Sequence, residues 1–185
     1  ETKNNNQTDF DSNIKYIAIG VKIARYWGAG FGLVPFSTRG YYISATYPAE
    51  GDLREYQLVS SGSGGINRFY FSNSFRITHH LALGANISYL FGSLINVEEM
   101  YYTDESFNNI MISTTNYFRN WFFDFGLQYK FKLGKSDFYT GLTYNPLQTL
   151  NTSYQKLALN GSDTLAYDSK GKKDFTIPAS VGIGL

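Results

Sequence analysis

Residues 120–144, NWFFDFGLQYKFKLGKSDFYTGLTY, alternate between two kinds of side chain with unusual regularity. Every second residue from Trp121 to Phe131 is large and apolar. The intervening residues are Phe122 followed by aspartate, glycine, glutamine and two lysines. Successive side chains of a β-strand point to opposite faces, so this pattern predicts a strand with one apolar face and one largely polar face.

The same period of two recurs along most of the chain, whereas helical spacing is hard to find. The chain contains 16 Tyr, 15 Phe and 18 Gly, a composition typical of β-proteins because aromatic residues suit pleated surfaces and glycine suits turns. We predict an all-β, antiparallel up-and-down fold, with residues 1–185 forming a single domain. The expected strands cover about 13–24, 28–47, 65–77, 81–93, 110–133, 137–157 and 174–185.

The connections between these strands alternate in length. Those near 25–28, 78–80 and 133–136 are short, whereas those near 48–64, 93–112 and 158–173 are long and polar. In an up-and-down meander, alternate connections lie at opposite ends of the strands. Tight turns at one end and long loops at the other are typical of an outer-membrane β-barrel.

Alternation alone does not say which way the apolar face points, because a lipocalin-like barrel or a β-sandwich also alternates. The apolar stripe here is strongly aromatic, and the expected strands are long enough for a tilted membrane span. Both features favour a transmembrane barrel whose apolar face meets lipid. The predicted lipid-facing residues are Phe69, Phe71, Phe75, Leu83, Ile87, Trp121, Phe123, Phe125, Leu127, Tyr129 and Phe131. The predicted lumen-facing residues are Arg68, Tyr70, Arg76, Phe122, Asp124, Gln128, Lys130 and Tyr139.

A sheet that spans a bilayer has to close, because no water is present to bind its edges. Seven strands would not make a typical single-chain barrel, which usually has an even number. We therefore expect the chain to be part of a larger barrel, incomplete at both ends. No apolar run approaches the length of about 18–20 residues that a membrane-spanning helix needs.

Several function classes are not expected from the composition. The formal net charge of +1 gives no reason to expect nucleic acid as a partner, and there is no cysteine for a disulfide or a thiolate site. His79 and His80 fall in a predicted turn, and no catalytic motif is present, so we expect neither an enzyme nor a cofactor. Four acidic residues in a predicted outer loop favour a solvated loop over a calcium site. These are Glu98, Glu99, Asp104 and Glu105.

Four segments of the chain resemble consecutive parts of FadL/TodX-type outer-membrane transport proteins of Gram-negative bacteria. The segments are YWGAGFGLVPFSTRGYYI, GGINRFYFSNSFRITHHLALGANISYLFGS, FFDFGLQYKFKLGKSDFYTGLTYNP and FTIPASVGIGL. The resemblance implies a 14-stranded barrel with an N-terminal hatch and the uptake of long-chain fatty acids or other hydrophobic compounds. The chain contains no hatch segment of the family's kind, so no binding residue is carried over.

Two functions follow as alternatives for a chain in the outer membrane of a Gram-negative bacterium. The first is passive uptake of hydrophobic compounds, for which Tyr70, Phe122 and Tyr139 would supply apolar surface in the lumen. The second is a structural or accessory barrel in an outer-membrane secretion or protein-assembly complex. The expected partners are the lipid bilayer together with either hydrophobic small molecules or other outer-membrane proteins.

Overall fold

A computed structural model describes residues 16–48, 55–102 and 108–185, and ten β-strands in these residues form one antiparallel sheet. This confirms the predicted all-β, up-and-down fold. The described residues include no helix with the length and hydropathy to cross a membrane. The strands are β1 (Ile17–Lys22), β2 (Trp27–Thr38), β3 (Tyr41–Pro48), β4 (Glu55–Arg76), β5 (Leu81–Tyr102), β6 (Ile110–Leu133), β7 (Ser136–Asn145), β8 (Gln148–Asn160), β9 (Asp163–Ile177) and β10 (Ser180–Gly184).

The ten strands amount to seven passes of the chain, because three passes are broken near their middle. β2 and β3 both pair with β4, β7 and β8 both pair with β6, and β9 and β10 continue the pattern beside β8 and β7. Proline occupies two of the three breaks, at Pro146 and Pro178, where it lacks the N–H that a strand ladder needs. The first pass is shorter than predicted and covers 17–22, while residues 13–15 lie outside the described residues.

The predicted short connections are confirmed, but the predicted long loops are wrong where they are described. Turns at 23–26, 77–80 and 134–135 join neighbouring passes. At the other end of the sheet, however, β4 already begins at Glu55 and β5 continues to Tyr102. β8 and β9 are joined by only two residues, 161–162, because Gly161 adopts a φ of 59° that suits a tight hairpin. Parts of the other two predicted loops, 49–54 and 103–107, lie outside the described residues.

The sheet is strongly curled, and its core lies on the concave face. The rings of Phe36 on β2 and Phe122 on β6 are 5.5 Å apart, although β4 and β5 lie between these two strands. Three strand spacings would separate β2 and β6 by about 14 Å in a flat sheet, so the sheet must curve toward this face. The interior cluster is defined by six buried residues, with Phe36, Phe175 and Ile177 packed against them. The six are Ile66, Leu90, Leu94, Phe118, Phe122 and Leu150.

Gly92 lies beside this cluster and has a φ of 143°, a backbone conformation that residues with a Cβ rarely adopt. A Cβ at this position would also collide with the carbonyl oxygen of Gly65 on β4. We predict that Gly92→Ala lowers the free energy of unfolding by at least about 2 kcal/mol in denaturant titrations. The control is Gly141→Ala, because no atom lies within 4 Å of the added Cβ. Equal stability of the two variants would contradict this account of Gly92.

Candidate functional site

The convex face of the sheet carries a continuous apolar surface, which we call the outer belt. Strand register aligns its residues in rows across the sheet: one row joins Phe31, Phe71, Ile87 and Phe123 on four successive strands. Many of these side chains are largely uncovered, for example Phe125, which is 47% exposed. The outer belt comprises Phe31, Leu33, Phe69, Phe71, Phe75, Leu83, Ile87, Tyr89, Trp121, Phe123, Phe125, Leu127, Tyr129, Phe131, Phe138, Leu142 and Tyr144. All eleven predicted lipid-facing residues belong to it, while their contact with lipid stays a prediction.

The height of the outer belt matches the apolar part of a bilayer. Trp121 and Phe131 lie ten residues apart on β6, which corresponds to about 33 Å at a rise of about 3.3 Å per residue. A strand tilt of about 35–45° would reduce this to about 23–27 Å, close to the apolar band of about 25 Å on outer-membrane barrels.

Aromatic rings mark both limits of the belt. At one limit Tyr89 and Trp121 form an edge-to-face pair with ring centroids 5.3 Å apart, and Trp121 is 62% exposed. At the other limit the rings of Phe131 and Phe138 are stacked at 5.5 Å, next to the 134–135 turn. Girdles of aromatic residues at both interfaces are typical of membrane barrels.

The sheet continues well beyond the Trp121 limit as a polar extension, formed by β3, β8, most of β9 and the adjoining halves of β4, β5 and β6. Glu98 and Glu99, predicted in a loop, lie here on β5, because the strand continues to Tyr102. Glu99 accepts a hydrogen bond from Tyr101, and its negative charge raises the pKa of that hydroxyl. Asp104 and Glu105 lie outside the described residues, and the described part of the chain contains no group of side chains suited to hold a metal ion.

The concave face within the belt carries the residues predicted to face the lumen, and the structure divides them into two groups. In the first group, Arg68 donates to Asp124 across β5 at 3.4 Å, and its guanidinium lies 5.6 Å from the ring centre of Tyr70. Phe122 neighbours this group but belongs to the interior cluster, where it is only 4% exposed. The Arg68–Asp124 ion pair therefore lies directly beside the apolar interior cluster.

The second group lies beside the 77–80 turn. Lys130 forms an ion pair with Asp137 at 2.8 Å, and its ammonium lies 5.2 Å from the ring centre of Tyr139. Arg76 and Gln128 line the same cavity of about 230 Å³ as Lys130 and Tyr139. The facing of all eight residues toward a lumen stays a prediction, but the structure brings them together on one concave face.

The interior cluster itself was not predicted from the sequence. Its residues Leu90 and Leu94 occupy positions on β5 where the alternation predicts polar side chains. The signal was the sequence Tyr89-Leu90-Phe91, in which three consecutive apolar residues interrupt the period of two. Such an interruption indicates a strand that is apolar on both faces, and therefore one that packs against something on its concave side.

The Arg68–Asp124 pair provides a test of the concave face. The two side chains are only 28% and 16% exposed, and the Arg68 Nε is buried without a hydrogen-bond partner in the described chain. We expect Asp124→Asn to lower the free energy of unfolding by about 1–3 kcal/mol, because it leaves the guanidinium charge uncompensated. The more exposed Asp137 serves as the control, because solvent screens its ion pair with Lys130, and Asp137→Asn should lower the free energy of unfolding clearly less than Asp124→Asn does. An Asp124→Asn variant as stable as the wild type would contradict the role of this pair.

The family model described as BamG matches residues 1–185, the whole chain. No curated protein and no solved structure matches. The match is to a different family from FadL/TodX, so the resemblance stated above is wrong. Its quoted segments are strand-and-turn pieces that many membrane-barrel-like sheets would share, and their order along the chain did not separate one family from another.

Proposed function

Because the chain belongs to the BamG family, we propose that it is a non-transporting accessory subunit of the machinery that assembles β-barrel proteins in the outer membrane of Gram-negative bacteria. The family is named after the outer-membrane assembly (BAM) complex, and this name supports the assignment. The role requires partner proteins and a bilayer, and it requires no catalysis and no cofactor.

The structural observation that carries the proposal is the filled interior. Phe36 reaches Phe122 across the concave face, and Phe118 contacts Phe175 at 5.6 Å between ring centroids. Leu90 in the same cluster is fully buried. Side chains packed in this way occupy the space through which a hydrophobic compound would have to pass. The interior therefore supports a structural role over uptake.

The outer belt supports residence in the membrane. The belt is a continuous surface of large apolar side chains, which would be costly to expose to water. Large exposed apolar surfaces usually mark a membrane or protein interface. Its aromatic limits and its height of about 23–27 Å both favour the bilayer. The edges of the described sheet at β1 and β10 would pair with further strands in the membrane, because a bilayer offers no water to satisfy them.

The polar extension supports contact with partner proteins outside the bilayer. Strands that pass through both the belt and the extension are up to 24 residues long, whereas a tilted span needs only about 9–11 residues, so a large part of each such strand lies outside the belt. Its concave side contains a cavity of about 590 Å³ lined by both lysine and glutamate side chains. In the described sheet β3 pairs only with β4 and β9 only with β8, so the extension offers mixed charge and strand edges to which another protein could dock.

Depletion of the chain from cells, with two readouts, tests the proposed function. The first readout is the fraction of an unrelated outer-membrane barrel that has folded, measured by its heat-modifiable migration in gels. The second is uptake of a radiolabelled long-chain fatty acid over the same interval. We expect folding of the barrel to fall before uptake does, and expression of the wild-type chain to restore it. Normal barrel folding with reduced uptake would contradict the proposal.

A further inference from the structure

A second cavity, of about 520 Å³, lies on the convex face of the polar extension, next to the outer belt. Register puts most of its lining residues on one face: Tyr117 pairs with Ser153, and Ser153 with Lys172. Asn151 pairs with Asp174 in the next row. Arg119 lies between Tyr117 and the exposed Trp121 on β6, and both cations of the cavity, Arg119 and Lys172, are exposed. These residues are referred to below as the boundary cavity.

The two cations of the boundary cavity have no charged partner among residues 16–48, 55–102 and 108–185. In the described chain neither Arg119 nor Lys172 forms an ion pair or a side-chain hydrogen bond. Asp174 also lines the cavity, yet no ion pair joins it to either cation. One carboxylate against two cations leaves a net positive cavity. Asn151 and Ser153 add uncharged polar groups beside it.

The position of the cavity relative to the belt decides which anion it can meet. Arg119 is the first charged residue beyond Trp121 on the convex face of β6, and it pairs with Phe91 on β5. Aromatic rings at this limit would lie at the level of lipid head groups. An arginine at that level has its side chain directed toward the head groups rather than the acyl chains, and guanidinium binds phosphate with two parallel hydrogen bonds.

The short turns at 23–26, 77–80 and 134–135 lie at the opposite limit of the belt, and short turns are periplasmic in outer-membrane barrels, so the Trp121 limit corresponds to the outer leaflet. We propose that the boundary cavity binds the phosphorylated head group of an outer-leaflet lipid, with Arg119 and Lys172 as the principal phosphate contacts. The proposal rests on the membrane location in the proposed function. Asn151 and Ser153 then contact the polar atoms that surround the phosphate, and Trp121 and Tyr89 pack against the start of the acyl chains. A lipid bound in this way fixes the depth of the sheet in the membrane.

Binding of lipid A to the purified chain in detergent micelles tests the proposal. The probes are lipid A and the same lipid after removal of its phosphates. We expect Arg119→Gln to weaken binding of lipid A roughly five- to tenfold and Arg119→Gln with Lys172→Gln to abolish measurable preference for the phosphorylated form. Arg119→Lys should restore part of the affinity, because it keeps the charge but not the forked geometry.

The matched control removes a cation from the opposite face of the same extension. Lys156 lines only the concave cavity, whereas Lys172 lines both cavities, so Lys156→Gln should leave lipid A binding within about twofold of the wild type. The proposed lipid site would be refuted if both lipid forms bound equally well, or if Lys156→Gln lost as much affinity for lipid A as Arg119→Gln. A chain that fractionates with membranes and with its partners yet binds no lipid A would refute this inference alone. Recovery of the chain in the aqueous fraction would refute the proposed function as well.

Discussion

Replacement of Leu90 by alanine is expected to lower the free energy of unfolding by about 3–5 kcal/mol. Leu90 is fully buried at the centre of the interior cluster. Truncation therefore loses the free energy of transferring the side chain from water to the interior. It also leaves a cavity, because the aromatic rings on neighbouring strands cannot move in to fill the space. The measurement is reversible urea unfolding of the chain refolded into lipid vesicles.

Leu83→Ala is the matched control for this variant. Leu83 lies on the same strand but belongs to the outer belt and is 42% exposed. Acyl chains would fill the space left by its side chain, so the cavity contribution should be absent. We expect its cost to be smaller than that of Leu90→Ala by at least about 1 kcal/mol. Equal costs, or a larger cost for Leu83→Ala, would mean that the concave face is not the packed side.

Introduction of arginine at Leu127 is expected to destabilise the membrane-inserted state by about 2–4 kcal/mol. Leu127 lies near the middle of the outer belt, between Trp121 and Phe131, in a row with Leu83 and Leu142. A charge on the lipid face of a barrel is most costly at the bilayer midplane. The fraction of chain that resists extraction from outer membranes by urea should fall accordingly.

The neighbouring residue gives the control at nearly the same depth. Gln128 is exposed on the concave face, where it lines the small cavity beside the 77–80 turn. We expect Gln128→Arg to change insertion by less than about 1 kcal/mol, because water can reach the new charge. If the two variants inserted equally well, the convex face would not be the lipid-facing one.

The strands of this fold could be predicted from the sequence because period-two alternation is a local signal. The series from Trp121 to Phe131 determines which residues of β6 share a face. The three short turns could be predicted because only a few residues separate the alternating segments there. Strand ends were harder to predict. Residues 94–102 were predicted as a loop, yet they pair residue by residue with β4, and most of them also with β6. Their sequence, LINVEEMYY, contains consecutive apolar and consecutive acidic residues, so it lacks the period-two alternation that identifies the other strands.

The contents of the interior depend on curvature, which local patterns do not encode. Phe36 and Phe175 come from nearly opposite ends of the described chain and pack against the same cluster. Only the coiling of the whole sheet brings them together. Similarly, Arg119 and Lys172 become neighbours through the order of β6, β8 and β9. The alternation could identify the outer belt, but it could not reveal that the space inside the sheet is filled.

Native mass spectrometry of the chain, extracted from its own membranes in mild detergent, tests whether it is a subunit of the barrel-assembly machinery. We expect a discrete complex in which the chain is present at fixed stoichiometry with other outer-membrane proteins of that machinery. Leu90→Ala should lower the free energy of unfolding, but the molecules that fold should still be found in that complex. A lone chain that carries acyl-chain adducts, or a water-soluble species of 20.9 kDa, would contradict the account.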